Sequence, residues 1–249
     1  MQSRHIEELL HRMTEAERNN SHPFVKPRDA STLILVDRSA NPPKVLIGQR
    51  HRNHKFMPGK FVFPGGRVEP IDTKMAVRAH LDPRVERRLM NGVQRPSPGR
   101  ARALVMAAIR ETFEETGLLL GIAKENAPAA ATDEAWQQMA QTGAQPNLSD
   151  IHFVARATTP PGRPRRFDTR FFTADAAAIT HRIEGVVGAD TELVALVWLP
   201  ITEAKKLDMP AITKVALDEL QARVAAGLTH NLPVPYYRML RRQFTRAML

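Results

Sequence analysis

Apolar positions in this chain fall into short runs more often than long stripes, and the runs predict strands first. Thr32–Val36 (TLILV) and Lys44–Ile47 (KVLI) are β-rich segments divided by Asn41-Pro42-Pro43, the composition of a hairpin or tight connection. Lys60–Phe63 (KFVF) is a third short strand, closed by Pro64-Gly65-Gly66. Ile151–Thr158, Thr169–Thr173 and Thr191–Leu199 read as strands further on. Helical spacing appears in Ile6, Leu9, Leu10 and Met13, which predicts a short amphipathic helix within Met1–Asn20. A longer helix is expected over Arg100–Thr116, ended by Gly117 as its C-terminal cap. Thr132–Gln141 opens on the N-cap sequence Thr132-Asp133-Glu134, and Thr202–Leu207 and Ala211–Ala226 are the remaining helices. From Asp72 to Arg100 arginines are dense and apolar positions sparse. That stretch reads as an inserted pair of short helices with Asp82-Pro83 between them.

Short strands mixed with a few helices predict an α+β fold or a helix–sheet–helix sandwich, with no linker long enough to force a second domain. The expected organisation is an N-terminal helical extension over 1–27, a main domain over 28–230 containing the insertion at 73–100, and a basic tail over 231–249. Trp198 belongs in the core on this reading, and Tyr236-Tyr237 in the packing of a C-terminal helix.

Composition narrows the function. A hydrophobic fraction of 43% and a charged fraction of 25% are ordinary globular usage, against disorder or a fibrous protein. The absence of cysteine excludes a disulfide scaffold, a zinc-thiolate site, an iron–sulfur cluster and a cysteine nucleophile. Any metal must then be held by carboxylate, imidazole, carbonyl or water. The net charge of +10 favours phosphate-bearing partners, polymer or metabolite. Aromatic residues at 6% are thin for base stacking, and no nucleic-acid-binding pattern is visible, so nucleic acid is not expected; charge alone does not decide between a small phosphorylated metabolite and a solvated basic surface with no partner. No apolar run approaches the roughly 20 residues that span a bilayer, and Met1–Asn20 is too charged for a signal peptide. A cytoplasmic protein without a membrane partner is expected; a homodimer is compatible with the sequence.

The chemistry concentrates in Arg110-Glu111-Thr112-Phe113-Glu114-Glu115-Thr116-Gly117-Leu118. On a helix Glu111, Glu114 and Glu115 stand at i, i+3 and i+4, so three carboxylates share a face and repel one another. Such a cluster serves either a solvated acidic surface or a divalent cation, and hard oxygen ligands without thiolates favour Mg²⁺ or Mn²⁺. Arg110 beside them could hold one carboxylate in position.

This segment resembles the second half of the Nudix box, R-E-U-x-E-E-x-G-U with U a bulky aliphatic. Gly66 to Asp72 is similar to the first half, G-x5-E, with aspartate in the last place. Arg110 follows Gly66 by 44 residues rather than the family's 14, an insertion of 30, and Thr112 stands at an aliphatic position. Upstream, Leu46-Ile47-Gly48-Gln49-Arg50-His51, Lys55, Gly59 and Phe63-Pro64-Gly65-Gly66 resemble the LLTxR-S/A-x3-R-x3-G-x3-FPGG signature of coenzyme A diphosphatases. Ile-Gly replaces Leu-Thr, His51 replaces Ser/Ala and Lys55 replaces Arg. Arg166-Phe167-Asp168-Thr169-Arg170-Phe171-Phe172, the Asp190–Ala204 stretch and the insertion are similar to the mammalian peroxisomal branch of that group.

The resemblance implies a Nudix-type α/β/α sandwich with a mixed sheet, a helical insertion within the box and extra terminal helices. It also implies Mg²⁺- or Mn²⁺-dependent cleavage of the diphosphate of coenzyme A or an acyl-CoA. Glu114 and Glu115 would be the principal metal ligands, Glu111 a further ligand or the base, and Gly65 a carbonyl ligand, with Arg110 in the catalytic set. Arg50, Lys55, Gly66 and Arg170 would bind substrate, and Glu192 would be an extra acid from outside the box. Asp168 is expected to pair with Arg170 or Arg166 in a structural role. Hydrolysis of another nucleoside diphosphate derivative, a non-catalytic Nudix-fold module and a 5′-end RNA pyrophosphohydrolase are the rival readings.

Overall fold

The computed structural model describes residues 7–8, 10–11, 13–14, 22–54, 57–123 and 134–249. In chain order the strands are β1 (Arg28–Asp37), β2 (Lys44–Arg50), β3 (Phe61–Val62), β4 (Gly65–Arg67), β5 (Leu118–Leu120), β6 (Ile122–Ala123), β7 (Ala144–Gln145), β8 (His152–Thr158), β9 (Phe167–Asp175), β10 (Ile179–Arg182), β11 (Leu193–Pro200), β12 (Pro235–Leu240) and β13 (Gln243–Met248). The helices are α1 (Pro83–Met90), α2 (Pro98–Thr116), α3 (Glu134–Gln141), α4 (Ile201–Ala204) and α5 (Ala211–Ala225).

The unbroken apolar run Leu33–Val36 marks β1 as a strand covered on both faces, and all four side chains are buried. Leu33 and Leu35 point into one core with α1, α2 and α3; Ile34 and Val36 point into a second core with α4 and α5. The result is an α/β/α sandwich around a nine-stranded mixed sheet. Its main path is β11-β2-β1-β9-β8-β12-β13, with β3 on β2 and β4 on β1. The β1–β9 and β12–β8 pairs are parallel and the other pairs in this sheet antiparallel. The described residues between 7 and 14 are helical, and Leu10 and Met13 cover the second core. Among the described residues no helix is long and apolar enough to cross a membrane.

The structure departs from the sequence reading in two regions. The insertion holds one α-helix, not two. A 3₁₀ turn at Pro70–Thr73 leads through extended chain to α1, where Asp82 is the N-cap, accepting from the Arg84 amide, and Pro83 is the first helical residue. The Asp-Pro pair therefore starts a helix and does not separate two. The expected basic tail is the β12–β13 hairpin, which joins the sheet through Tyr236↔Arg156 and Tyr237↔Ala157. Its turn, Arg241-Arg242, has positive φ at both residues (48° and 66°), a conformation usually signalled by Asn-Gly. Thr132 and Asp133, the expected cap of α3, lie outside the described residues.

The box helix α2 ends as its sequence predicts. Gly117 adopts φ +73° and its amide donates to the Phe113 carbonyl. A Cβ there would lie 2.3 Å from the Ile183 carbonyl oxygen. Gly117→Ala should therefore cost at least about 1–2 kcal/mol of unfolding free energy, measured by urea denaturation, from the left-handed conformation alone.

Candidate active site

β1 and β2 pair only at Val36↔Val45 and Asp37↔Lys44; beyond that β1 takes β4 as its neighbour and β2 takes β3. A cleft of about 900 Å³ opens where the strands diverge. Glu111 and Glu115 reach it from α2, Gly65 and Gly66 from β4, Arg50 from the end of β2, His54 from the following loop and Glu192 from the start of β11. The two halves of the split motif thus meet at one site, the 30 additional residues looping away through α1.

Arg110 organises the acidic face. Its side chain is buried, and all five N–H donors are engaged. Nε and Nη2 grip Asp72 at 2.8 and 3.1 Å, and Nη2 also donates to the Arg67 carbonyl at 3.0 Å. Nη1 donates to Glu111 Oε1 and to Glu114 Oε2, each at 3.0 Å. Asp72 is fully buried and its Oδ2 also accepts from the Glu69 amide at 2.8 Å, so aspartate serves well where the family pattern has glutamate. Arg110 does not line the cleft. It holds the carboxylates in position, as its place beside them in sequence suggested. Thr112 is equally well housed: its hydroxyl donates to the Ala108 carbonyl at 2.7 Å, so a polar residue fits a buried position.

The three box glutamates differ in setting. Glu114, expected as a principal ligand, is exposed and paired with Arg110, outside the residues lining the cleft. Glu111 and Glu115 do line it. Burial pushes the Glu111 carboxyl up to about 7, with Glu114 and Asp72 adding to the shift and Arg110 opposing it. Burial also lifts Glu115 well above the ordinary range; Glu192 and Glu111 reinforce this, while Arg50 and the Gly65 amide oppose it. Glu115 Oε2 is buried without a hydrogen-bond partner. A Cβ on Gly66 would lie 2.3 Å from the Glu111 carboxylate, so a side chain there would displace that carboxylate from its present position.

These features fit a divalent cation. Hard oxygen donors, mutual repulsion and an unpartnered buried carboxylate oxygen are what a bound Mg²⁺ or Mn²⁺ would relieve. Among the described residues no three acidic or histidine side chains form a ready-made metal cage. An ion that keeps several waters and takes substrate phosphate oxygens needs only one or two carboxylates. Glu111 and Glu115, with the Gly65 carbonyl as a candidate, are the residues that would hold it.

The other expected positions divide. Arg50 lines the cleft, its Nη1 2.6 Å from Glu192 Oε1 and 3.1 Å from His54 Nδ1, so Glu192 and His54 join the site. His54 was not among the expected site residues; the loop that carries it closes with the His54 and Gly59 amides both donating to the His51 carbonyl. Lys55 lies outside the described residues. Arg170 is not a substrate contact: its side chain is fully enclosed, 2.8 Å from Asp29 and 3.2 Å from Asp168. Asp168 also pairs with Arg156 at 2.6 Å, a structural role, and Arg166 is anchored to the Val25 and Thr159 carbonyls. Arg163 and Arg165 remain at the cleft.

No protein-family model matches the chain. The acyl-coenzyme A diphosphatase NUDT19 of Gallus gallus is 29% identical over 238 residues, covering 71% of this chain and 62% of that protein. A putative nudix hydrolase 7 of Caenorhabditis elegans is 26% identical over 157 residues, covering 58% of this chain and 43% of that one. The chain thus spans less than two thirds of the length of either relative. A crystal structure of a NUDIX hydrolase from Alicyclobacillus acidocaldarius superposes with a TM-score of 0.63 at 28% identity, over 84% of this chain and 98% of that one. The chain is similar to Nudix hydrolases in sequence and shares their fold. Among these it resembles the coenzyme A diphosphatase branch.

The raised Glu111 carboxyl gives a pH dependence. The folded protein keeps this proton up to about pH 7, whereas an unfolded chain releases it near the ordinary glutamate value of 4.5. Ionising Glu111 therefore opposes folding, and its contribution is lost as pH rises between those values. His152, pushed down to about 4 by burial and by the stacked His230, acts in the opposite sense, so a variant is needed as reference. In metal-free buffer the melting temperature of the wild type relative to Glu111→Gln should fall from about pH 5 to about pH 8, and saturating Mn²⁺ should restore it.

Proposed function

We propose that this chain is a divalent-metal-dependent diphosphatase acting on coenzyme A or an acyl-CoA and releasing 3′,5′-ADP and 4′-phosphopantetheine. One observation carries the reading: two carboxylates, the buried Glu115 and the partly buried Glu111, open onto the same cleft as the arginine that ends the upstream signature strand, Arg50. A divalent ion bound by the carboxylates supplies charge neutralisation of phosphate oxygens and a more acidic water. Glu111 is the candidate base, because a carboxyl held near pH 7 can both accept a proton and release it at physiological pH. Water oxygen bonds to one phosphorus, the bridging P–O bond breaks, and the water proton passes to Glu111.

The substrate class rests on charge and resemblance. A coenzyme A carries a diphosphate and a 3′-phosphate, so several cations must converge, and Arg50, Arg163 and Arg165 all line the cleft. Substrate phosphate drawing Arg50 away from Glu192 would release that carboxylate toward the ion. The acyl-CoA activity named for the Gallus gallus relative agrees with this reading. Cleavage of another nucleoside diphosphate derivative is the second reading, favoured by the histidine and lysine at positions 51 and 55 of the signature.

Incubated with Mg²⁺ or Mn²⁺, the protein should cleave coenzyme A and acyl-CoA faster than ADP-ribose, a nucleotide sugar or a dinucleoside polyphosphate. Glu115→Gln should reduce kcat at least about 10²-fold while leaving the fold intact by circular dichroism. Full activity in Glu115→Gln would remove the site assignment; preference for another substrate would remove coenzyme A while keeping the chemistry.

A further inference from the structure

The cleft continues well past the carboxylates, and its two margins differ in chemistry. From the Gly65–Arg67 strand it crosses the sheet face by register: Gly65 pairs with Thr32 and Thr32 with Phe171, while Arg67 pairs with Ala30, Ala30 with Thr169 and Thr169 with Ala157. Three strand spacings put the far end about 14 Å from β4. One margin is the loop joining β8 to β9, which brings Arg163 and Arg165 to the cleft. The other is apolar: Met13 from the N-terminal helical segment, Phe63 beside β4, Phe171 on the floor, Ile212 from the first turn of α5 and Phe244 from the C-terminal hairpin. These elements meet there directly, the Phe244 amide donating to the Thr14 hydroxyl at 3.1 Å. The terminal segments therefore complete one wall of the cleft.

This partition matches a substrate whose halves differ in the same way. We infer that the apolar arm between Met13, Phe171, Ile212 and Phe244 binds the pantetheine half of the substrate, with its acyl group where present, while the Arg163/Arg165 margin takes the phosphorylated nucleotide half. The inference rests on the coenzyme A reading above and deepens it. The phosphates of the nucleotide half are drawn to the arginine margin by charge-assisted hydrogen bonds. The pantetheine half bears a dimethyl group and an alkyl thiol or thioester, whose burial such a wall favours, and Thr169 and Thr213 are polar residues along the cleft for its two amides. The cleft volume of about 900 Å³ suits a ligand of this size.

Product inhibition separates the halves, because each product is one of them. Ile212→Gln is neutral, so it does not repel a polyanion, and Ile212 is half-buried in the first turn of a helix, where a polar residue is tolerated. It should raise the inhibition constant of 4′-phosphopantetheine about tenfold, the equivalent of losing burial of a methylene or two, and leave that of 3′,5′-ADP within about twofold. Ala157→Leu, which fills the floor of the arm, should give the same pattern, and Arg163→Gln/Arg165→Gln the reverse. The arm assignment is overturned if Ile212→Gln and Ala157→Leu weaken 3′,5′-ADP instead, if both products weaken alike, or if neither changes. Should the wild type cleave ADP-ribose or a nucleotide sugar but never coenzyme A, the functional reading itself fails, a result distinct from any variant pattern, and this inference falls with it.

Discussion

Arg110 is the group on which the rest of this site depends. A guanidinium has five N–H donors in a fixed plane, and here every one is used, on two oxygens of Asp72, one carbonyl and two glutamates. Burial disfavours the charge, but the surrounding carboxylates outweigh it, so the arginine stays cationic at any pH of interest. The plane of the guanidinium fixes the direction from which Glu111 and Glu114 approach, and Asp72 fixes the plane. That chain of constraints ties the loop after β4 to the last turns of α2, across an insertion that separates them in sequence. Lysine would supply the charge but not the fork.

The same arrangement leaves a deliberate electrostatic imbalance. Arg110 neutralises part of the acidic face, yet Glu115 is turned away from it, against Glu111 and Glu192, with one buried oxygen unpartnered. Like charges at close range in a poorly solvated pocket are costly, and that cost, with burial, lifts both carboxyls above the ordinary range. Arg50 balances the far side by holding Glu192. The cleft is thus bracketed by two arginines of different kinds. Arg110 is saturated and fixed; Arg50 lies at the mouth, within reach of an incoming phosphate.

Much of this was legible in the sequence, and what was not has identifiable causes. The run TLILV gave away the central strand because a two-faced strand has no polar alternation. The Glu-rich helix and its glycine terminator were readable from spacing alone. That Glu111 and Glu115 line the cleft while Glu114 is exposed was not, because helical periodicity places all three within one arc and does not say where the cleft lies along it. Arg170 looked like a phosphate ligand in an arginine-rich segment; its burial against Asp29 and Asp168 depends on the parallel β1–β9 pairing, a long-range register that local pattern does not encode. The C-terminal hairpin turns on Arg241-Arg242, which carries no turn signature, so its two tyrosines were read as helix packing. Asp82-Pro83 shows the opposite ambiguity, since the same dipeptide can break one helix or begin another.

The central claim is that Glu111 and Glu115 are kept in an unfavourable state that a divalent cation relieves. Titrating Mn²⁺ into the protein without substrate, and following free Mn²⁺ by electron paramagnetic resonance, tests this directly. Saturable binding in the wild type, weakened tenfold or more in Glu115→Gln with the fold retained, is the predicted result. Equal binding by the two proteins, or none by either, would contradict it.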